Sequence, residues 1–251
     1  MTRLRAMLAV LVLLVGLGGL AVAWFAREGL TEDRGTSTLP GPVRGVDIQI
    51  DSGHVDVVAG PGVDAKVQRT RRYLRGAPKL TETFVDGMVA VTSACQDTVK
   101  LGCSVDIRVE VPAATPVRVR STRGTVSVDG MTNGVDVATS AGAVRLARTS
   151  GVMKATTSAG SVTGVELAPT ALDAVTSAGA IRITLAEPAG RVDLRTGAGD
   201  IDLALPVAPG GYRVTTNRTG SKSKVTVVQD PSSGRAVSAR TGGGRITIHP
   251  R

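Results

Sequence analysis

A four-residue turn recurs along the chain and restricts its fold more than any other feature of the sequence. Thr-Ser-Ala-Gly occupies residues 139–142, 157–160 and 176–179, and each copy leads into a short strand of alternating character, such as Val144-Arg145-Leu146. Two short strands per unit of about 20 residues, joined by the same turn, are typical of one coil of a β-solenoid. With the looser copies included, the repeat-turn glycines are Gly53, Gly124, Gly142, Gly160, Gly179, Gly199 and Gly244.

The repeat predicts an all-β fold. Over residues 112–251 we expect a right-handed parallel β-solenoid in which Val and Ile at matching positions stack from coil to coil. Only 2% of the residues are aromatic, so the core is expected to be thin and built of Val, Ile and Leu. Residues 43–111 alternate over longer stretches, which predicts an N-terminal cap of antiparallel hairpins. An antiparallel β-sandwich is the alternative fold, because the same alternation suits it.

The C-terminal end of the predicted solenoid lacks an obvious cap. The last coil, around Ala236 to His249, has no polar segment that would cover it. Because an open sheet edge can pair with another chain, this uncapped edge predicts a homo-oligomer.

An N-terminal apolar segment indicates export. Residues 6–26 contain no charged side chain, and Arg3 and Arg5 precede them, so residues 1–26 are expected to form a short cytoplasmic tip and a single transmembrane helix. Residues 27–42 are rich in Gly, Pro, Ser and Thr, which predicts a flexible linker. The alternative is secretion after signal cleavage near Ala23. Both readings place the body outside the membrane.

The chain carries 30 basic and 21 acidic residues, a net charge of +9. This surplus favours anionic partners such as lipid headgroups or envelope polymers. Nucleic acid is not expected, since the sequence has no nucleic-acid-binding motif and almost no aromatic side chains on which bases could stack. A cluster of basic residues predicts an anionic-surface patch, with a charge-protected edge strand as the alternative. The candidate patch is Lys66, Arg69, Arg71, Arg72, Arg75 and Lys79.

Cys95 and Cys103 are the only two cysteines. They flank a short polar loop between two alternating strands, so in an exported protein they are expected to form a disulfide that closes a hairpin. A two-ligand metal site is the alternative.

The sequence contains no recognisable catalytic, metal or cofactor site. His54 and His249 are far apart, and no nucleophile-elbow motif is present. Asp200 and Asp202 share one strand face, which predicts a surface ladder contact between Asp202 and Arg182, with a calcium site as the alternative. No cofactor and no enzymatic activity are therefore expected.

The apolar N-terminal segment, the turn Ser52-Gly53-His54-Val55 and the recurring Ser-x-Gly-x-Val units resemble the bacterial putative-adhesin family of exported β-strand-repeat proteins, over residues 43–249. This resemblance implies surface interaction and supplies no catalytic residues. Together with the charge, it predicts a membrane-tethered binding or structural module whose partner is an anionic envelope polymer or a protein. Two alternatives stay open: a polysaccharide-acting β-helix enzyme, and an envelope-stress regulatory component acting through a partner.

Overall fold

The computed structural model describes residues 31–74, 76–95, 102–218 and 223–251. In these residues the chain is all β, and no helix that could cross a membrane is found. The predicted span at 6–26 lies outside them. The strands are β1 (Thr31–Leu39), β2 (Gly45–Ser52), β3 (Val55–Gly60), β4 (Ala65–Tyr73), β5 (Lys79–Val85), β6 (Met88–Ala94), β7 (Ser104–Pro112), β8 (Val117–Arg123), β9 (Val126–Asp129), β10 (Val135–Ala141), β11 (Val144–Ala147), β12 (Ser150–Ala159), β13 (Val162–Ala178), β14 (Ile181–Leu185), β15 (Arg191–Ala198), β16 (Ile201–Leu205), β17 (Arg213–Arg218), β18 (Lys224–Val225), β19 (Ala236–Thr241) and β20 (Ile246–Pro250).

The strands form two sheets that share β13. Sheet A has the order β1-β4-β7-β3-β9-β11-β13-β14-β16-β20-β18. Sheet B has the order β5-β6-β2-β8-β10-β12-β13-β15-β19-β17. Pairing is parallel throughout except for β1–β4, β4–β7 and β5–β6. Because the coils pair in parallel, the antiparallel sandwich is excluded, and the prediction of an all-β chain with parallel solenoid coils is confirmed.

Each coil contributes one strand to each sheet, and its apolar side chains point between the sheets. Burying Val and Ile in stacked columns removes their apolar area from water, which is the main stabilising contribution to such a core. The column that follows the turn glycines is in register across seven coils and is at most 1% exposed. Its members are Val55, Val126, Val144, Val162, Ile181, Ile201 and Ile246.

The coils do not stack in chain order at either end. The coil of β6 and β7 lies outside the coil of β2 and β3, whose other neighbour is the coil of β8 and β9. At the far end, β19 and β20 lie between the coil of β15 and β16 and the coil of β17 and β18. The predicted open edge at Ala236–His249 is therefore wrong, because a preceding segment folds over that coil and covers it.

The predicted hairpin cap over residues 43–111 is only partly correct. Four of its strands, β2, β3, β6 and β7, belong to parallel coils, and antiparallel pairing is confined to β4 and β5 with their neighbours. The hairpin between β5 and β6 turns at Asp86 and Gly87, whose φ angles are 50° and 79°. Positive φ at both central residues is the geometry that Asp-Gly favours in two-residue hairpins.

The predicted linker at 27–42 is also corrected, since residues 31–39 form β1. Every residue of β1 is in antiparallel register with β4, from Thr31 opposite Tyr73 to Leu39 opposite Ala65. Composition alone indicated flexibility. However, side chains of β1 contact those of β4, and these contacts favour pairing over a free chain.

Candidate functional site

The outer face of sheet B carries two concave surfaces. One is a groove of about 700 Å³, the polar groove, which runs across the strands near their turn ends. The second, of about 580 Å³, is more apolar and lies at the opposite ends of the same strands, around Met88, Pro116 and Val152. Side chains lining the polar groove include Lys79, Thr92, Arg120, Thr122, Ser140 and Ser158.

A row of charged residues crosses this face, one residue per strand, and part of it lines the second groove. Since neighbouring strands are about 4.8 Å apart, oppositely charged members of such a row attract one another. Asp136 shows this, with one carboxylate oxygen 2.6 Å from Arg120 and 3.8 Å from Arg118. We call this row the charge ladder; it consists of Asp47, Arg118, Asp136, Lys154, Asp173 and Asp193.

At the C-terminal end of the same face, basic side chains outnumber acidic ones. Arg195 on β15 is in register with Arg240 on β19, so two guanidinium-bearing residues are direct neighbours. Arg195 contacts Asp193, whose side chain is only 7% exposed and also lies 3.5 Å from Arg191. In the described chain no carboxylate pairs with Arg240 or with Arg213 of β17, both of which are exposed. We call Arg191, Arg195, Arg213 and Arg240 the arginine cluster.

The predicted basic patch around β4 is mostly neutralised in the structure. Arg69 lies 2.9 Å from Glu82, Arg71 pairs with Asp33, and Arg72 pairs with Asp106 and Glu32. Hydrogen bonding to Asp106, reinforced by its charge and by Glu32, raises the pKa of Arg72.

The remaining patch residues do not restore a patch. Lys66 stands opposite Glu110, and Lys79 lines the polar groove. Arg75 lies outside the described residues. The edge-strand alternative is wrong as well, because β4 has β1 on one side and β7 on the other.

The repeat-turn glycines stand in one column along the edge of the solenoid. A Cβ built on Gly160 would lie 2.0 Å from the carbonyl oxygen of Gly142, and one on Gly124 would lie 1.8 Å from that of Gly53. No real side chain fits such a gap, so glycine is required for the coils to approach. The same relation continues through Gly142, Gly179, Gly199 and Gly244. The sequence also holds a degenerate copy of the turn, Asn217-Arg218-Thr219-Gly220, and its glycine lies outside the described residues.

The first residue of the turn motif has a role that the sequence reasoning missed. The hydroxyl of Thr157 points inward, is 2% exposed, and donates a hydrogen bond of 3.0 Å to the carbonyl oxygen of Gly142. The sequence does hold a signal for this role. Thr recurs at a strand position whose side chain points into the core, where Val or Ile would be expected.

Cys95 and Cys103 are joined by a disulfide with a Cα–Cα distance of 6.1 Å. The strands that they follow and precede, β6 and β7, lie in different sheets and do not pair. The expected hairpin is therefore wrong: the disulfide joins the end of β6 in sheet B to the start of β7 in sheet A, at the place where other coils have the short Gly turn.

The remaining candidates hold no metal-like arrangement. Asp200 accepts a hydrogen bond of 2.7 Å from the backbone nitrogen of Arg245. Asp202 is in register with Arg182, but its ion-pair contact is with His249, at 3.3 Å. Within the described ranges no three His, Cys, Asp or Glu side chains come together as a metal site would need.

A family model described as Toastrack DUF4097 matches residues 44–249. No curated protein matches the chain.

Several solved structures are similar at low sequence identity. A putative adhesin from Bacteroides fragilis NCTC 9343 has 12% identity and a TM-score of 0.45, covering 87% of this chain and 97% of its own. A putative cell adhesion protein from Clostridium sporogenes ATCC 15579 has 11% identity and a TM-score of 0.39, covering 89% and 100%. A putative lipid binding protein from Parabacteroides distasonis ATCC 8503 has 11% identity and a TM-score of 0.45, covering 86% and 96%.

Proposed function

The chain belongs to the Toastrack DUF4097 family, which confirms the family resemblance seen in the sequence, and from this premise we propose that it is a non-enzymatic, adhesin-like binding module of the cell surface. Its ligand is an extended anionic polymer of the cell envelope, and its binding surface is the outer face of sheet B. The polymer lies across the strands, along the axis of the solenoid.

The observation that carries the proposal is the register pairing of Arg195 with Arg240. Like charges on directly opposed strand positions repel and destabilise a sheet unless a counter-charge lies between or above them. Arg195 has Asp193 for this purpose, but Arg240 and Arg213 have no carboxylate in the described chain. A phosphate or carboxylate group of a polymer would supply the missing charge, and guanidinium groups bind such groups with two parallel hydrogen bonds.

The shape of the surface favours a long, thin ligand. Ser140, Ser158 and Ser177 stand at equivalent positions on neighbouring strands, so they present hydroxyls about 4.8 Å apart along the solenoid. Hydroxyls can donate to or accept from a polar chain at each step. Sugar stacking is not part of the proposal, because Tyr73, Phe84 and Tyr212 are the only aromatic residues after the N-terminal apolar segment.

We propose a binding role rather than catalysis for the acidic residues on this face. The polysaccharide-enzyme alternative predicts Asp, Lys and Arg together on one sheet, and the charge ladder has that composition. Two of its four carboxylates, however, pair with arginines: Asp136 with Arg120 and Asp193 with Arg195. A general acid must hold a proton, and adjacent cations favour its loss.

The placement of the module at the membrane is also a proposal. The apolar segment at 6–26 anchors the chain with its N-terminus in the cytoplasm and its body outside the cell.

A binding measurement with a matched control tests the proposed function. The full-length chain in neutral detergent is titrated by calorimetry with linear polyphosphate, at low and high salt, and with dextran as an uncharged polymer. The test variant is Arg213→Gln/Arg240→Gln. The control is Arg145→Gln/Arg182→Gln, which removes the same charge from exposed arginines on the outer face of sheet A.

The proposal expects polyphosphate binding that weakens with salt, and a loss of about tenfold or more in the test variant, equivalent to about 1.4 kcal/mol. The control is expected to keep most of the affinity. Equal losses in the two variants would mean that only net charge matters and would overturn the assignment of the surface. No binding to polyphosphate would overturn the anionic ligand.

A further inference from the structure

The chain between the proposed membrane anchor and the folded body is short. The predicted span ends at Ala26, and β1 begins at Thr31, so only residues 27–30 lie between them. Five Cα–Cα steps reach at most about 18 Å even when fully extended. A body on so short a tether cannot sample the distances that a linker of 27–42 would have allowed.

β1 is paired with β4 along its whole length, so the folded body begins at Thr31 and the tether is no longer than residues 27–30. Its nine residues are all in register with β4. Ser37 accepts a hydrogen bond of 2.8 Å from Arg69, and Asp33 pairs with Arg71. The guanidinium of Arg69 also covers Gly35 so closely that a Cβ there would lie 2.7 Å from its carbon atom.

The start of β1 fixes which part of the body faces the membrane. Thr31 lies beside Tyr73 at the end of β4, so the corner that follows β4 is the part nearest to the tether. Leu74 at this corner is 42% exposed and packs on Gly102, beside the disulfide. Lys79 at the start of β5 is exposed on the same side, opposite Ala94.

We propose that this corner, with Tyr73, Leu74, Ala77 and Lys79, docks on the outer leaflet of the membrane that holds the anchor. The inference rests on the anchor in the proposed function, and the lipid surface is the occupant because the tether keeps this corner within about 18 Å of it. The headgroup layer is about 5–7 Å thick on each side, well within the span of the tether. Tyrosine suits this layer with its apolar ring and polar hydroxyl, and lysine attracts anionic lipids.

Docking in this orientation has a consequence for the ligand surface. The arginine cluster is at the opposite end of the solenoid from β1, so it projects away from the membrane, where an envelope polymer could reach it.

Site-specific fluorescence on the full-length chain tests the docking. The two native cysteines are paired, so one introduced cysteine can be labelled with a polarity-sensitive fluorophore. The probe positions are Leu74→Cys and, because Leu74 lies near the disulfide, Ala77→Cys as a second variant. The matched control is Val228→Cys, a residue that is 71% exposed at the far end of the solenoid. Each labelled protein is reconstituted into phosphatidylcholine–phosphatidylglycerol vesicles containing a headgroup quencher, and vesicle binding is verified by flotation.

Docking predicts that the probes at 74 and 77 lose most of their emission to the quencher, while the probe at 228 keeps it. Inserting a Gly-Ser segment of about 15 residues, with an end-to-end span of about 20 Å, before Thr31 is expected to restore the emission at 74. Vesicle-bound protein with equal emission at all positions would overturn the docking and leave the anchor intact. Protein that fails to float would overturn the anchor, and the docking with it.

Discussion

The hydroxyl of Thr176 donates a hydrogen bond of 2.9 Å to the carbonyl oxygen of Gly160 on the neighbouring coil. The two residues are the first and last of successive copies of the turn motif, so the motif stabilises the stack as a pair. Glycine lets the coils approach, and threonine satisfies the carbonyl that this approach removes from water. The same bond joins Thr157 to Gly142, Thr196 to Gly179, and Thr241 to Gly199.

Thr176→Val is expected to destabilise the protein by about 1–2 kcal/mol. Valine keeps the shape of the side chain but leaves the carbonyl of Gly160 without a partner at a site that is 2% exposed. The control is Ser177→Ala, which removes an exposed hydroxyl from the next position and should change stability by less than about 0.5 kcal/mol. Urea unfolding of both variants measures the difference. Equal midpoints for Thr176→Val and the parent would show that the bond contributes nothing.

Gly160→Ala is expected to be far more damaging. The added Cβ would meet the backbone of Gly142 at 2.0 Å, and a backbone carbonyl cannot rotate away as a flexible side chain can. We expect a loss above about 4 kcal/mol or failure to fold. Gly234→Ala is the control, since its Cβ would meet nothing within 4 Å. Soluble yield and thermal unfolding distinguish them, and a folded Gly160→Ala protein of parental stability would refute the stacking role.

The repeat predicted the middle of the solenoid well because every coil there obeys the same local rule. The Val or Ile that follows each glycine turn determines which side chains of the strand point into the core. Val126, Val144 and Val162 are in register, as this rule requires. The alternate residues of each strand then point outward, so Arg182 and Asp202 are register neighbours as expected. The expected contact between their side chains is not formed, because Asp202 instead contacts His249 from a distant part of the chain.

The ends were predicted poorly because long-range stacking decides them. The alternation of apolar and polar residues indicates that β6 and β19 are strands, but it does not predict which coil each strand pairs with. The strand at 31–39 was not predicted because its less exposed residues include Asp33, Gly35 and Ser37, which are typical of a linker. In the structure these residues pair with residues of β4. For the same reason the arginines of β4 looked free in the sequence.

The ion pair between Arg69 and Glu82 connects the two sheets at the N-terminal end, since β4 belongs to sheet A and β5 to sheet B. Their side chains are only 27% and 14% exposed. Glu82→Gln is therefore expected to cost about 1–3 kcal/mol, because it leaves the guanidinium half-buried without a counter-charge.

The control for this prediction is Arg34→Gln, which breaks a contact to Glu32 made by a side chain that is 76% exposed. Such a pair is expected to contribute less than about 1 kcal/mol. Thermal unfolding at low and high salt compares the two. If both variants lose the same small amount, the pair across the sheets is not a structural link.

Tyr212 gives the C-terminal end a dependence on alkaline pH. It is 2% exposed, and its hydroxyl donates a hydrogen bond of 2.7 Å to the carbonyl oxygen of Pro206. Burial raises the pKa of Tyr212 above its ordinary value of 10.0, an effect partly offset by the charge of Arg235. The folded state therefore holds this proton more tightly than the unfolded state does.

This difference fixes the sign of the pH effect. Below the unfolded pKa both states are protonated and the stabilisation is fully present; as the pH rises above it, the unfolded chain releases the proton first and stability falls. Tyr212→Phe is expected to cost about 1 kcal/mol at neutral pH through the lost hydrogen bond, and to show a shallower decline between about pH 9 and 11. Thermal unfolding across this range measures both effects, with Tyr73→Phe as the control. Parallel declines in the parent and in Tyr212→Phe would rule out Tyr212 as the titrating group.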